Sequence, residues 1–217
     1  MAYRTILFDL DGTLLDAFTT ILRAYQYTLP KFGYPAPTME QVRSVVGGGA
    51  SNAMARFLPA DLVEAALEIH VAYTRIILLE DVKLMPGAHD LLHNLHQRGL
   101  TLAAFTNKDG DVSRIICPHL GIADYLTGIY GAGDTPWVKP RAEFSAHVLG
   151  ELKAEPATTL LIGDSTFDIE SAHNGGFACW CVTTGTHDAE QLNDAKADRV
   201  FPDFDALWHA LEQELSD

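Results

Sequence analysis

Ile6-Leu7-Phe8-Asp9-Leu10-Asp11-Gly12-Thr13 decides the reading of this chain, because an apolar run ends there in two acids and a turn. Side chains alternate across a strand, so this spacing sends Asp9 and Asp11 to one side and Leu10 into the core. Two carboxylates that share a site repel each other, and either a cation joins them or one keeps its proton. Both arrangements are chemically useful at a strand end.

Working outward, residues 4–9, 100–105, 159–163 and 178–182 read as short buried strands, with weaker ones at 128–131 and 199–201. Helical periodicity separates them, with helices expected at 88–98, 167–174 and 204–215. This alternation predicts an α/β fold whose mostly parallel sheet is covered on both faces. Residues 17–81 break the pattern. Phe18, Ile21, Leu22, Tyr25, Leu29 and Phe32 follow one helical stripe, and Leu62, Val63, Ala66, Ile69, Tyr73, Ile76 and Ile77 follow another. An inserted all-helical cap domain over 17–81 is therefore expected, with the core built from 1–16 and 82–217. The two crossings fall near Asp16 and at 81–86, and Asp16 is expected to fix the turn there.

The chain has 217 residues, 47% of them apolar, enough to bury a sizeable core. Its formal charge of −14, with only 15 basic residues, argues against nucleic acid and anionic membrane as partners. A small anionic substrate remains compatible if the site holds a divalent cation and one well-placed lysine, so the charge predicts metal dependence. No stretch approaches the roughly 18 apolar residues of a membrane span. Asp9 and Asp11 also break the N-terminal region too early for a secretory signal. A cytoplasmic protein, monomeric or homodimeric, is expected. Cys117, Cys179 and Cys181 form no even framework and read as reduced, buried thiols.

Four short signals fall at the carboxyl ends of expected strands, where ligands bind in open parallel sheets. They are Asp9 and Asp11 with Gly12-Thr13, then Phe105-Thr106-Asn107-Lys108, then Lys139-Pro140, then Gly163-Asp164-Ser165-Thr166-Phe167-Asp168. A hydroxyl, a lysine and four carboxylates at one sheet edge suit phosphoryl transfer. Asp9, at the strand tip, is the expected nucleophile, and Asp11 the acid that protonates the leaving oxygen and later deprotonates water. Mg2+ would be held by Asp9, the backbone carbonyl of Asp11 and Asp164, with Asp168 orienting that shell. Thr106 and the amides of Asp11 and Asn107 would bind phosphoryl oxygens, and Lys139 would offset the shared negative charge. His89, His93 and His96 lie away from the buried stripe of Leu91, Leu92 and Leu95, and read as solvated rather than as a metal face.

Taken in order, these motifs resemble those of the haloacid dehalogenase superfamily, from Tyr3 to about Gly185. The resemblance implies a Rossmann-like sheet with the first strand central, a magnesium-dependent aspartyl-phosphate mechanism, and a helical cap inserted directly after the first motif. Asp11 marks the phosphatase branch, because dehalogenases of the superfamily lack this acid. Val42-Arg43-Ser44-Val45-Val46-Gly47-Gly48-Gly49, Phe105-Thr106-Asn107-Lys108 and Gly163-Asp164-Ser165 are further similar to bacterial phosphoglycolate phosphatases. That implies a phosphoric monoester hydrolase acting on a small phosphorylated metabolite, with phosphoglycolate the leading candidate. It also makes Gly48, in the cap loop, a substrate-binding position. The chain departs from the pattern at Gly48, where Asn is frequent, at Ala17, where Ser or Thr is usual, and at Ala142, where Pro is common. A phosphomutase or pyrophosphatase of the same superfamily is the alternative enzyme. The non-enzymatic alternative is a receiver-like phospho-Asp switch, although such a module has no helical insertion.

Overall fold

A computed structural model describes residues 3–216. Strand β1 (Thr5–Phe8) is buried at every position, as its uninterrupted apolar run requires when both sheet faces are covered. The chain then turns into β2 (Leu15–Asp16), which pairs antiparallel with β3 (Lys83–Leu84), and a salt bridge of 3.4 Å joins Asp16 to Lys83. Between those two short strands lie only helices: α1 (Phe18–Thr28), α2 (Met39–Arg43), α3 (Ala50–Met54), α4 (Ala60–Ile77) and a 3-10 turn. Their facing stripes bury a separate cluster around Tyr25, Leu29, Val42, Met54 and Ala66.

After the ribbon, strands and helices alternate. The strands are β4 (Thr101–Asp109), β5 (Gly128–Ala132), β6 (Thr159–Gly163), β7 (Ala178–Val182) and β8 (Arg199–Phe201). The helices are α5 (Ala88–Gln97), α6 (Gly110–His119), α7 (Ala142–Leu152), α8 (Thr166–Gly175), α9 (Ala189–Asp194) and α10 (Phe204–Glu214). All six strands of the main sheet run parallel in the order β5-β4-β1-β6-β7-β8, with β1 inside the sheet. Alternation divides the core. Ile6 and Phe8 pack with α5, α6 and α10, whereas Leu7 packs with α7, α8 and α9.

Two of the boundaries that differ from the sequence reading bear on the site. β1 stops at Phe8, although Asp9 N still donates to Ile162 O at 3.0 Å. β4 continues through Thr106, Asn107 and Lys108 to Asp109, with an irregularity in its pairing to β5. Register then sets the site. Phe8 lies opposite Ala104 on β4 and Ile162 on β6, so Asp9, Thr106 and Asp164 emerge side by side just beyond those partners.

Candidate active site

Asp9, Asp164 and Asp168 are all buried, and one carboxylate oxygen from each lies within 4.8 Å of the others. Lys139 is drawn into this cluster from the loop before α7. Its Nζ donates to Asp168 Oδ1 at 2.6 Å and lies 3.1 Å from Asp9 Oδ1. Burial works against the lysine charge, but Asp168 and Asp9 outweigh it and hold the ammonium well above its ordinary pKa. Burial pushes Asp9 upward, and Asp168 adds to the shift while Lys139 and Thr106 oppose it. Asp164 is likewise raised by burial, then by Asp168 and Asp9.

Each carboxylate is held by its surroundings. Asp9 Oδ1 accepts from Leu10 N at 2.7 Å. Asp164 Oδ1 accepts from Thr13 Oγ1 at 3.0 Å, and its Oδ2 accepts from Thr186 N and Oγ1 at 2.8 and 2.9 Å. Asp168 Oδ2 accepts from Ser165 Oγ at 2.6 Å and from the amides of Ser165 and Asp164 at 3.1 and 3.2 Å. Asp168 therefore steadies Lys139 and the loop around Asp164, and both its oxygens are in use. Gly12 (φ +90°) and Gly185 leave room for Asp164, since a Cβ at either would run into its carboxylate.

Asp11 does not join this cluster. Because β1 ends at Phe8, strand alternation no longer aligns it with Asp9; instead both Asp11 oxygens accept from Lys108 Nζ at 2.9 Å. Asp9 and Asp11 still line one cavity, together with Thr106, Asn107 and Lys108 on the core side. That cavity measures about 130 Å3, well below the ~300–1,000 Å3 of pockets for drug-sized ligands. Its opposite wall comes from the helical segment: Ile21, Tyr25, Val46, Gly47, Gly49, Ala50, Ala53, His70, Val71 and Thr74.

Gly48 sits elsewhere than expected. It packs against Phe167, where an added Cβ would lie 2.7 Å from the ring, and its carbonyl accepts from Asn52 Nδ2 at 2.8 Å. Gly47 and Gly49, its neighbours, line the cavity. The Asn107 side chain spans the two halves, donating through Nδ2 to Gly47 O and Lys139 O at 3.0 Å and accepting from Lys139 N at 2.7 Å. Arg43 makes a second crossing, donating to Gly185 O at 3.0 Å while stacking on Phe18.

The family model described as haloacid dehalogenase-like hydrolase matches residues 6–182. The chain belongs to that family. Among curated relatives of this haloacid dehalogenase-like hydrolase, the phosphoglycolate phosphatase of Vibrio parahaemolyticus is 31% identical over 96% of this chain and 95% of its own length. That of Vibrio cholerae is 32% identical over 96% of each. Among solved structures, a predicted phosphatase from Clostridium acetobutylicum superposes with a TM-score of 0.92 at 24% identity, over 98% of this chain and 100% of its own. A predicted phosphoglycolate phosphatase from Haemophilus somnus gives 0.87 at 25% identity, over 96% and 97%.

The acidic cluster of this family member suits a hard divalent cation. All its ligand atoms are oxygens, and three buried carboxylates face a single buried ammonium, so ionising all three would leave two negative charges for a divalent cation to balance. Lys108 and Thr13 stand in the quoted motifs without an assigned role, and Thr186 and Gly185 are further site residues that the sequence reading gave none. The histidines of α5 are exposed, as expected, and surround the Tyr125 ring. All three cysteines are buried and free. Among the described residues no helix is long and apolar enough to cross a membrane.

Proposed function

We propose that the protein is a Mg2+-dependent phosphatase for a small phosphomonoester, with phosphoglycolate the leading substrate, working through an aspartyl-phosphate on Asp9. The observation that carries this reading is the bridge from Lys139 to Asp9 and Asp168, with Asp9 also lining a small cavity beside Asp11. Asp9 attacks phosphorus and the ester oxygen leaves with a proton from Asp11. Water then attacks the phosphoryl group, gives its proton back to Asp11, and phosphate departs with Asp9 restored. Lys108 holds the ionised Asp11 carboxylate through its two bonds of 2.9 Å, the form that then takes the proton from water. Lys139 offsets charge on the nucleophile, and Thr106 is placed beside Asp9 to donate to a phosphoryl oxygen.

Asp9 and Asp164, with the backbone carbonyl of Asp11, would hold the cation; when bound it would neutralise the anionic substrate beside these carboxylates. The cap-side wall would exclude bulk water from the cavity. The cavity volume and the names of the curated relatives support a substrate with few atoms beyond its phosphate.

A panel of small phosphate esters, assayed with Mg2+ and with a chelator, tests the reading. Phosphate release that needs Mg2+ and vanishes in Asp9→Asn is expected. Appreciable turnover by Asp9→Asn would place the nucleophile elsewhere, and isomerised ester without free phosphate would make the enzyme a mutase.

A further inference from the structure

Three buried side-chain polar atoms lack any hydrogen-bond partner among the described residues: Thr20 Oγ1, His70 Nδ1 and Thr74 Oγ1. Native interiors leave few such atoms, and each one calls for a reason. Two of the three, His70 and Thr74, line the same cavity as Asp9 and Asp11. They stand four residues apart on α4, so they share one helix face. Around them the wall is apolar, made by Ile21, Tyr25, Val46 and Val71. The His70 ring is 93% buried by exposure of 7% and is fixed by the Tyr25 ring, whose centroid lies 4.5 Å away. Burial and nearby Lys108 push its pKa down to about 4, so the imidazole is neutral near pH 7 and offers a hydrogen bond rather than a charge.

We propose that His70 Nδ1 and Thr74 Oγ1 form the subsite that reads an oxygen substituent at the far end of the ester's leaving group. This rests on the phosphomonoesterase reading and deepens it. With the phosphoryl group at Asp9 and Lys139, the leaving group extends towards the helical wall, where these two atoms are the unsatisfied polar groups. An ester ending in hydroxyl or carboxylate satisfies them, and one ending in methyl leaves them unpaired. Selectivity is then set by this pair and catalysis by the core carboxylates.

Phosphoglycolate, 2-hydroxyethyl phosphate and propyl phosphate, assayed with Mg2+, differ at that end alone. The wild-type protein should favour at least one oxygen-ended ester over propyl phosphate by about tenfold in kcat/KM. Thr74→Val and His70→Leu should erase the preference through KM, bringing the kcat/KM ratio of the oxygen-ended ester to propyl phosphate close to one. His70→Asn, which keeps a polar atom near the position of Nδ1, should retain most of it. Comparing the carboxylate and hydroxyl esters identifies which oxygen group is read. A wild type without preference, variants that keep it, or variants that lose all three esters equally would overturn the subsite while the phosphatase reading stands. If the wild type turns over none of the three, the subsite falls, and phosphate release from the wider ester panel decides the phosphatase reading separately. Thr74→Val is nearly isosteric, so it keeps the test open where His70→Leu does not fold.

Discussion

Lys139 is the side chain on which the buried charges balance, and its loss has two separable effects. Removing one electrostatic donor at the reacting centre typically costs on the order of 10² to 10³ in rate. Removing the sole ammonium between Asp9 and Asp168 also strands buried carboxylates, which costs on the order of 3–5 kcal/mol in such pairs. Lys139→Ala should therefore be inactive and less stable, a result that kcat and urea unfolding measure independently. Unchanged unfolding would mean that the carboxylates are neutral without it. Gly185→Ala should push Asp164 aside and weaken Mg2+ binding by about 10- to 100-fold, readable by calorimetry. Asp9 and Asp164 were legible because each follows a strand whose end the apolar pattern marks, and Thr106 because the apolar part of β4 stops just before it. The Lys108 pairing with Asp11 was not, since its partners are 97 residues apart and the motif that ends in Lys108 does not say which carboxylate it meets. The same holds for Thr186 on Asp164 and for the unpaired nitrogen of His70.

Among the elements, the end of α2 and the loop that follows it are tied to the core by three different contacts. Asn107 reaches Gly47, Arg43 reaches Gly185, and Gly48 lies under Phe167. The sequence marked this loop as glycine-rich but gave no sign of which glycine meets the cavity, because that depends on the approach of α8. Gly48→Val should collide with Phe167, lift the loop and raise KM for phosphate esters by about tenfold, equivalent to about 1.4 kcal/mol. A KM unchanged from wild type would show that the loop position is immaterial to substrate binding. The six-stranded sheet itself was readable from apolar runs, whereas the extension of β4 through Thr106-Asn107-Lys108 was hidden by polar residues that serve the site.

For the whole molecule, His70 links stability to acidity. Its folded-state pKa lies near 4 against an ordinary 6.5, so the unfolded chain takes up a proton between those values and the native state does not. The contribution of His70 is thus complete above pH 6.5 and is lost as pH falls towards 4, by on the order of 3 kcal/mol. Urea midpoints across that window should fall less steeply in His70→Leu than in wild type. Parallel curves would assign the acid sensitivity to other groups.

The pairing of Leu15 with Leu84 also means that the chain enters and leaves the helical segment at neighbouring points. Antiparallel partners lie only about 4.5–5.5 Å apart, a gap that an Asn-Gly hairpin turn bridges. The insertion thereby enters and leaves through one doorway, and any segment exchanged there must also replace the bonds that Gly47 and Arg43 make to Asn107 and Gly185.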